Sequence, residues 1–397
     1  MRYFFVEPSK TGGNAVLISG SDAKHIKNVL RMKIGDRLGL SDGSGMGYDA
    51  RITAFPNKGV EVSISGRFPL NTESPTQIIV AQAFLKEKKM EQRRIFTKYE
   101  NNPVMSPSMM PKEVLYTFNP GVIKHDGEYV MIMDATTLDN KHRFWIARSK
   151  DGIKFTPDSE PMPMPPVDPW HPETETYDPR ITKIDDGYVI LYASDLSQND
   201  VRVGILKTKD FKTFERVCTA SELGNRNGCL FPEKFDGLYT RFDRPFGNEM
   251  QPCSMWVSQS PDLVFWGLSR PLTYKGEVFK EHFKMGAGAV PIKTDQGWLE
   301  IYHTVSNTCN GFVYRLKAMM LDLEDPSKII AYTNDFLLWP EFDYEMQGRV
   351  MNVVFTCNAL VDDDGTVRVY YGAADTHVGL ATAKLDDIVN ECFKDEE

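Results

Sequence analysis

The chain has 397 residues, 41% hydrophobic and 25% charged, with a formal net charge of −9, a composition that excludes a wholly disordered or collagen-like protein. The longest apolar run, around 78–84, is far short of the roughly 20 residues that span a bilayer, so no membrane partner is expected. The net charge hides a split: residues 1–92 hold 13 Lys and Arg against 9 Asp and Glu, whereas 93–397 hold 33 against 46. A small basic module joined to a large acidic one implies different partners for the two. Cys218, Cys229, Cys253, Cys309, Cys357 and Cys392 are widely spaced and form no Cys-x-x-Cys pair, which fits buried reduced thiols in a cytoplasmic protein. The N-terminal Met1-Arg2-Tyr3-Phe4-Phe5-Val6-Glu7 lacks the apolar stretch and small-residue cleavage site of a secretory signal. A cytoplasmic location is therefore the expectation.

In chain order, 16–19, 37–40, 48–55 and 60–64 predict short strands, with Asp42-Gly43-Ser44-Gly45 as a turn between two of them. Residues 21–31 predict one amphipathic helix opening on Ser21 as its cap. Together they make a small β-barrel with one helix. The charged run 86–94 marks the boundary, dividing the chain into 1–92 and 93–397. Beyond it a glycine in a turn, followed by an aromatic or apolar strand, recurs at Gly127, Gly187, Gly237, Gly297 and Gly365, at intervals of 60, 50, 60 and 68 residues. Before each turn lies a short strand with polar insertions: Phe118-Asn119-Pro120-Gly121, Tyr177-Asp178-Pro179-Arg180, Leu230-Phe231-Pro232-Glu233-Lys234, Gly286-Ala287-Gly288-Ala289 and Phe355-Thr356-Cys357-Asn358. After each comes a second alternating strand, at 143–148, 201–207, 254–258, 313–319 and 378–383. Five such units predict an all-β fold, a five-bladed β-propeller; a β-sandwich with coincidental Asp-Gly turns is the alternative. Only 385–393 has helical periodicity.

Two resemblances follow from these strings. Arg2-Tyr3-Phe4-Phe5-Val6, His25-Ile26-Lys27-Asn28-Val29-Leu30-Arg31-Met32-Lys33 with Gly35-Asp36, and Asp42-Gly43-Ser44-Gly45 resemble the PUA-like N-terminal domain of the 16S ribosomal RNA (uracil-N3) methyltransferase family. The likeness extends into the start of that family's catalytic domain, Ala81-Gln82-Ala83-Phe84-Leu85-Lys86-Glu87-Lys88-Lys89-Met90-Glu91, and then stops, without the rest of the knotted domain. It implies weak RNA binding by 1–92 without methyltransferase activity. From about Arg93 onward the chain resembles glycoside hydrolase family 130, the β-mannoside phosphorylases. The strings that carry this are Tyr177-Asp178-Pro179-Arg180, Asn225-Arg226-Asn227-Gly228, Leu230-Phe231-Pro232, Asp243-Arg244-Pro245, Lys284-Met285-Gly286-Ala287-Gly288, Tyr302-His303, Cys309-Asn310-Gly311 and Tyr370-Tyr371-Gly372-Ala373-Ala374-Asp375-Thr376. The implied fold is again a five-bladed propeller.

Cleaving a glycosidic bond with phosphate requires an acid for the leaving oxygen and a cationic cradle for the attacking anion. An inverting hydrolase needs two carboxylates instead, because water must be activated by a base. The resemblance makes Asp178 the general acid; read from the residues alone, it is rather an Asx-turn or strand-cap aspartate before Pro179. Arg226 and Arg244 are the phosphate candidates, because a guanidinium fork matches phosphate oxygens in pairs. Asn227 is able to add an amide donor, the resemblance adds His303 and Tyr314, and Lys234 is a weaker candidate. Tyr177, Arg180, Asp375 and His377 are the sugar-site candidates. Trp170, Phe231, Trp339 and Phe355 are further aromatics able to form a sugar platform, although most propeller aromatics pack between blades. No metal-ligand spacing is visible, and no cofactor is implied beyond inorganic phosphate as co-substrate. One departure stands out: where the family usually has an arginine closing a first-blade strand, this chain reads Met131-Ile132-Met133-Asp134-Ala135. Asp134 reverses the charge on the sugar wall, and Arg143 is the candidate to compensate.

The expectation is an inverting β-mannoside phosphorylase that releases α-mannose 1-phosphate. A water-using β-mannosidase and an RNA-binding protein with the propeller as scaffold are the rivals. Its partners are a mannoside and phosphate, with weak RNA binding by 1–92 and self-association left open.

Overall fold

The computed structural model describes residues 2–7, 12–70, 94–167, 169, 172–195, 200–219, 224–247, 254–281, 283–309 and 311–394. The chain forms two compact units, 1–90 and 91–397; the expected boundary at 92/93, the 81–91 string and Trp170 lie outside the described residues.

In the N-terminal unit a five-stranded sheet runs in the order Tyr3–Phe5, Arg37–Ser41, Met46–Ala54, Val60–Pro69 and Ala15–Ile18. Alternation puts Val16, Ile18, Leu38, Leu40, Ala50, Ile52, Val60 and Val62 on one buried face, where Ala23 and Ile26 of the helix cover them. Two details differ from the sequence reading. Tyr3–Phe5 is itself a strand, parallel to Arg37–Ser41. The helix starts at Gly20, so Ser21 lies inside its first turn, and no side chain caps it. From His25 to Val29 it widens into a π-helix, with Leu30 N–H donating to the His25 carbonyl at 2.9 Å.

The second unit is the five-bladed propeller. The blades are built on four antiparallel sheets and one of seven strands. Their inner hairpins are Val114–His125 with Glu128–Thr137, Glu175–Ile184 with Gly187–Asp195, Asn225–Leu230 with Tyr239–Pro245, Lys284–Gly286 with Gly297–Thr308, and Val354–Val361 with Thr366–Ala373. The recurring Asp-Gly pairs are hairpin turns: Asp126-Gly127 and Asp236-Gly237 have both residues left-handed (φ 47° and 77°, 51° and 78°), the conformation that favours this dipeptide. Two inner strands differ from the expected strings. The third is Asn225–Leu230, placing Phe231-Pro232 in the following turn, and the fourth breaks at Ala287 and resumes at Ile292–Thr294. Among the described residues, the one long periodic helix is Leu385–Phe393.

Apolar side chains seal every interface around the ring. Ile132, Phe144, Ile190 and Tyr192 pack between the first and second blades, and Leu191, Val203 and Leu230 between the second and third. Phe242, Trp298 and Met319 join the third to the fourth, and Leu299, Leu316 and Val369 the fourth to the fifth. Met131, Trp145, Tyr370 and Leu380 return from the fifth to the first. The ring is also closed by hydrogen bonds: Thr97–Lys98 adds an outer strand to His377–Lys384 of the last blade. Lys98 Nζ is tied there to the fully buried Glu345 at 2.7 Å, and Tyr371 Oη donates to the same carboxylate at 2.7 Å.

Candidate active site

The inner strands of the first three blades share a local irregularity. Register is lost between Phe118 and Gly121, Tyr177 and Arg180, and Arg226 and Cys229, and one residue in each gap is left-handed: Asn119 (φ 44°), Asp178 (φ 58°) and Asn227 (φ 57°). Asn and Asp are the side chains that tolerate this conformation, and a bulge re-aims the residue it carries. The three side chains meet. Asp178 Oδ1 accepts from Asn119 Nδ2 at 2.8 Å, and Oδ2 accepts from Asn227 Nδ2 at 3.4 Å. The Asp178 N–H, freed from the ladder by the bulge, donates to Asp134 Oδ2 at 3.0 Å. Asp178 is therefore a bulge residue rather than an Asx-turn, buried and held at both ends.

Around it opens a pocket of about 290 Å³. It gathers Tyr177, Asp178, Arg226, Asn227, Arg244, His303, Tyr314 and Asp375 from the sequence reading, together with Phe355. Arg226 and Arg244 are direct partners across the third hairpin. Like charges in that position repel, and an anion between them removes the penalty. Each has a local support. The Arg226 guanidinium lies 4.7 Å over the Phe246 ring, and the Arg244 backbone is bonded to Asn225, which also donates to Asp243 at 2.9 Å. Gly286 lets the cradle close: a Cβ there would lie 2.6 Å from His303, 2.9 Å from Asn227 and 3.1 Å from Arg244. His303 is buried beside Phe355 and stacked by Tyr314 at 6.3 Å. Burial, with the charges of Arg244, Arg180 and Lys284, holds its pKa well below the usual histidine range, so it is neutral at pH 7 and able to donate one hydrogen to an oxyanion. Its Nδ1 and the Arg226 Nε have no hydrogen-bond partner among the described residues.

Several expected site residues lie elsewhere. Arg180 is 1% exposed and spends its guanidinium on backbone, donating to the Gly288, Ala287 and Asp178 carbonyls at 2.9, 2.8 and 3.2 Å. It is a strut between the second and fourth blades rather than a sugar ligand. Lys234 is exposed beside the third turn, 4.1 Å from the Tyr239 ring, and His377 opens the following strand without lining the pocket. Phe231 packs into the core against Phe242 and Trp298, and Trp339 lies under Arg94. Arg143 does not reach the wall, because Asp139 engages it with two bonds at 2.9 and 2.8 Å.

The pocket also holds residues the sequence reading leaves out: His142, Glu175, Asp195, Lys284 and Arg349. Lys284 opens the Lys284-Met285-Gly286-Ala287-Gly288 string, so its signal is present in the sequence. Two carboxyls near Asp178 are strongly perturbed. Burial and the neighbouring Asp178 push Asp134 well above the usual range, and the same causes push Asp375 up to about 7, against the pull of Arg349. Among the described residues, no group of three or more His, Cys, Asp and Glu side chains is arranged to hold a metal ion.

Fold and pocket together define a class: a β-propeller enzyme with a buried carboxyl group beside a cluster of cationic side chains. A family model described as beta-1,4-mannooligosaccharide phosphorylase matches residues 86–394, and the chain belongs to that family, glycoside hydrolase family 130. It is 34% identical over 313 residues to the beta-1,4-mannooligosaccharide phosphorylase of Ruminococcus albus, covering 77% of this chain and 92% of that one. It is 36% identical over 301 residues to the 1,2-beta-oligomannan phosphorylase of a Thermoanaerobacter species, covering 71% and 96%. The solved beta-1,2-mannobiose phosphorylase of Listeria innocua superposes with a TM-score of 0.66 at 28% identity, over 75% of this chain and 99% of that one. A model described as an RNA methyltransferase PUA domain matches residues 18–65.

Proposed function

We propose that the propeller cleaves β-mannosides with inorganic phosphate, inverting the anomeric centre to give α-mannose 1-phosphate and a shortened acceptor. The observation that carries this reading is the placement of Arg226 opposite Arg244, with Lys284, His303, Tyr314 and Asn227 beside them, next to Asp178. Phosphate is already a nucleophile at neutral pH, so the cradle has only to bind and aim it, while Asp178 supplies the proton to the departing oxygen, directly or through a mannose hydroxyl. Arg226 and Arg244 present paired N–H donors to the phosphate oxygens, and neutral His303 adds a donor without adding to the crowding of positive charge. Tyr177 and Asp375 serve the mannose ring. A hydrolase would have no need of two facing arginines.

The synthetic direction tests this. With α-mannose 1-phosphate and a panel of glucose, mannose and N-acetylglucosamine, inorganic phosphate should be released in step with a new β-mannoside. Phosphate release that no acceptor stimulates would overturn the reading.

A second reading concerns 1–92, whose net charge of +4 and PUA-like character favour weak RNA binding. Contacts of a few Lys and Arg with phosphates should give affinity that falls steeply with salt; binding insensitive to salt would contradict it.

A further inference from the structure

The pocket has two polar sides. Its anion cradle comes from the third and fourth blades, with His303 feeling Arg244, Arg180 and Lys284. The other side comes from the fifth and first blades: Asp375 in the 373–377 turn, Phe118 and His142, and Arg349 from the segment that leads into the fifth blade. The charged groups that act on the carboxyls here are few. Arg349 is the cation acting on both Asp134 and Asp375, and it also lowers His142.

The backbone that delivers Arg349 is fixed. Gly348 is pressed against the 374–376 turn so closely that a Cβ would lie 2.4 Å from the Ala374 carbonyl and from Thr376 Oγ1. The Arg349 N–H donates to Thr376 Oγ1 at 2.9 Å and the Val350 N–H to the Ala374 carbonyl at 3.2 Å. Val353 N–H donates to the Glu345 carbonyl at 3.1 Å, anchoring the segment on the buried residue that also holds the closing strand. The side chain is fixed as well. Its guanidinium lies 5.6 Å over Phe118 and 5.8 Å over Tyr116, and Nη1 donates to His142 Nε2 at 2.7 Å.

That last bond has a consequence. Arginine has only hydrogens to give, so His142 Nε2 must be the acceptor and the imidazole proton must sit on Nδ1. Burial together with Arg349 lowers the His142 pKa to about 4, in keeping with a neutral ring at pH 7. The Nδ1–H is buried and has no hydrogen-bond partner among the described residues. Arg349 Nε and Nη2 have none either. One side of the pocket thus presents donors already oriented by their neighbours. Arg349 itself is exposed at the pocket edge, whereas Asp178 is only 6% exposed. The ring being cleaved has to reach Asp178 and the cradle, so Arg349 meets the part of the substrate that extends outward.

We infer that Arg349, oriented by His142, seats the leaving sugar of the β-mannoside and sets which acceptor the enzyme uses. This inference rests on the phosphorolysis reading above. It also accounts for the departure at Asp134: the carboxyl has turned inward to hold the Asp178 N–H, and the positive charge of the sugar side is supplied by a different segment. The hydroxyls of a neutral sugar are the matching chemistry, since Arg349 and His142 offer N–H groups to their oxygens.

The test compares wild type, Arg349→Gln and Arg349→Lys in the synthetic direction, with separate KM values for the acceptor and for α-mannose 1-phosphate. Arg349→Gln should raise the acceptor KM at least tenfold and leave the mannose 1-phosphate KM within twofold; Arg349→Lys should fall between. Equal rises in both KM values, or an unchanged acceptor KM, would overturn the inference while leaving phosphorolysis standing. A wild type that forms no mannoside with any acceptor would overturn the phosphorolysis reading itself, and the inference with it. Histidine NMR gives a second readout: His142 should titrate at higher pH in Arg349→Gln, and a signal that does not move would contradict the contact.

Discussion

Asp178 and Arg180 sit two residues apart on one strand, yet one lines the open pocket and the other is buried and does not line it. Arg180 gives its hydrogens to three backbone carbonyls contributed by two blades. Around it Asn358 imitates a strand, accepting from the Ile181 N–H at 2.9 Å and donating to the Ile181 carbonyl at 3.0 Å, and Thr356 donates to the Tyr370 carbonyl at 2.7 Å. The pocket end is different. Asn119 Oδ1, Asn227 Oδ1, His142 Nδ1, His303 Nδ1 and Arg226 Nε are all buried without a partner among the described residues. Buried polar atoms are normally satisfied, so this group of unsatisfied ones gathered around one pocket is where a ligand would complete the structure. The same strands thus use polar residues in two ways: around Arg180 they replace missing backbone partners, and around Asp178 they leave hydrogen-bonding capacity unused.

The comparison is sharpened first by Asp178→Asn. The amide keeps the shape but has no acidic proton to give, so turnover should fall by about 10²–10⁴-fold with little change in the urea midpoint. A variant with most of the wild-type turnover would remove the catalytic role. Arg180→Leu should do the reverse. It strands three carbonyls and should cost roughly 3 kcal/mol of stability, read as a lower urea midpoint; a midpoint equal to wild type would break the division between strut and site. Arg226→Lys replaces a two-pronged donor by a point charge. The KM for phosphate should rise about tenfold and that for the mannoside much less, and equal rises would dissolve the cradle assignment.

The remaining prediction is a pH dependence. The folded-state pKa of Asp375, about 7, lies above its ordinary value of 3.8. Between these values the folded protein holds the extra proton, so stability is lost as pH rises from about 4 to about 7. Asp375→Asn removes this contribution. The variant should therefore gain on wild type in urea midpoint as pH rises through that window, with the gap levelling off above it. A constant gap would contradict the burial of this carboxyl.

The blade count is legible because the hairpin turns carry their own chemistry: Asp-Gly at a left-handed turn is a local signal, and alternation marks the strands on either side. The bulges are not legible in the same way. Asn119, Asp178 and Asn227 occupy equivalent places, but the third inner strand lacks the Asn-Pro or Asp-Pro of the first two, and the apolar Leu230-Phe231 that follows draws the strand assignment too far along. Arg180 shows a further limit. Its string sits inside the active-site motif, and only the position of the Ala287 and Gly288 carbonyls reveals that its hydrogens are already used. Arg349 and His142 are 207 positions apart, in strings with no motif of their own, and each acquires its role from the other. Lys284, by contrast, opens a recognisable string, so a signal for it is present although the sequence reading does not assign it to the site.

The central claim is that a cationic cradle directs phosphate, rather than water, at the mannoside under proton donation from Asp178. The most direct measurement is the product formed from a β-mannoside with and without inorganic phosphate, resolved by NMR at the anomeric carbon. The account predicts α-mannose 1-phosphate, formed only when phosphate is present and in equal amount to the shortened acceptor. Free mannose, released at the same rate whether or not phosphate is added, would contradict it.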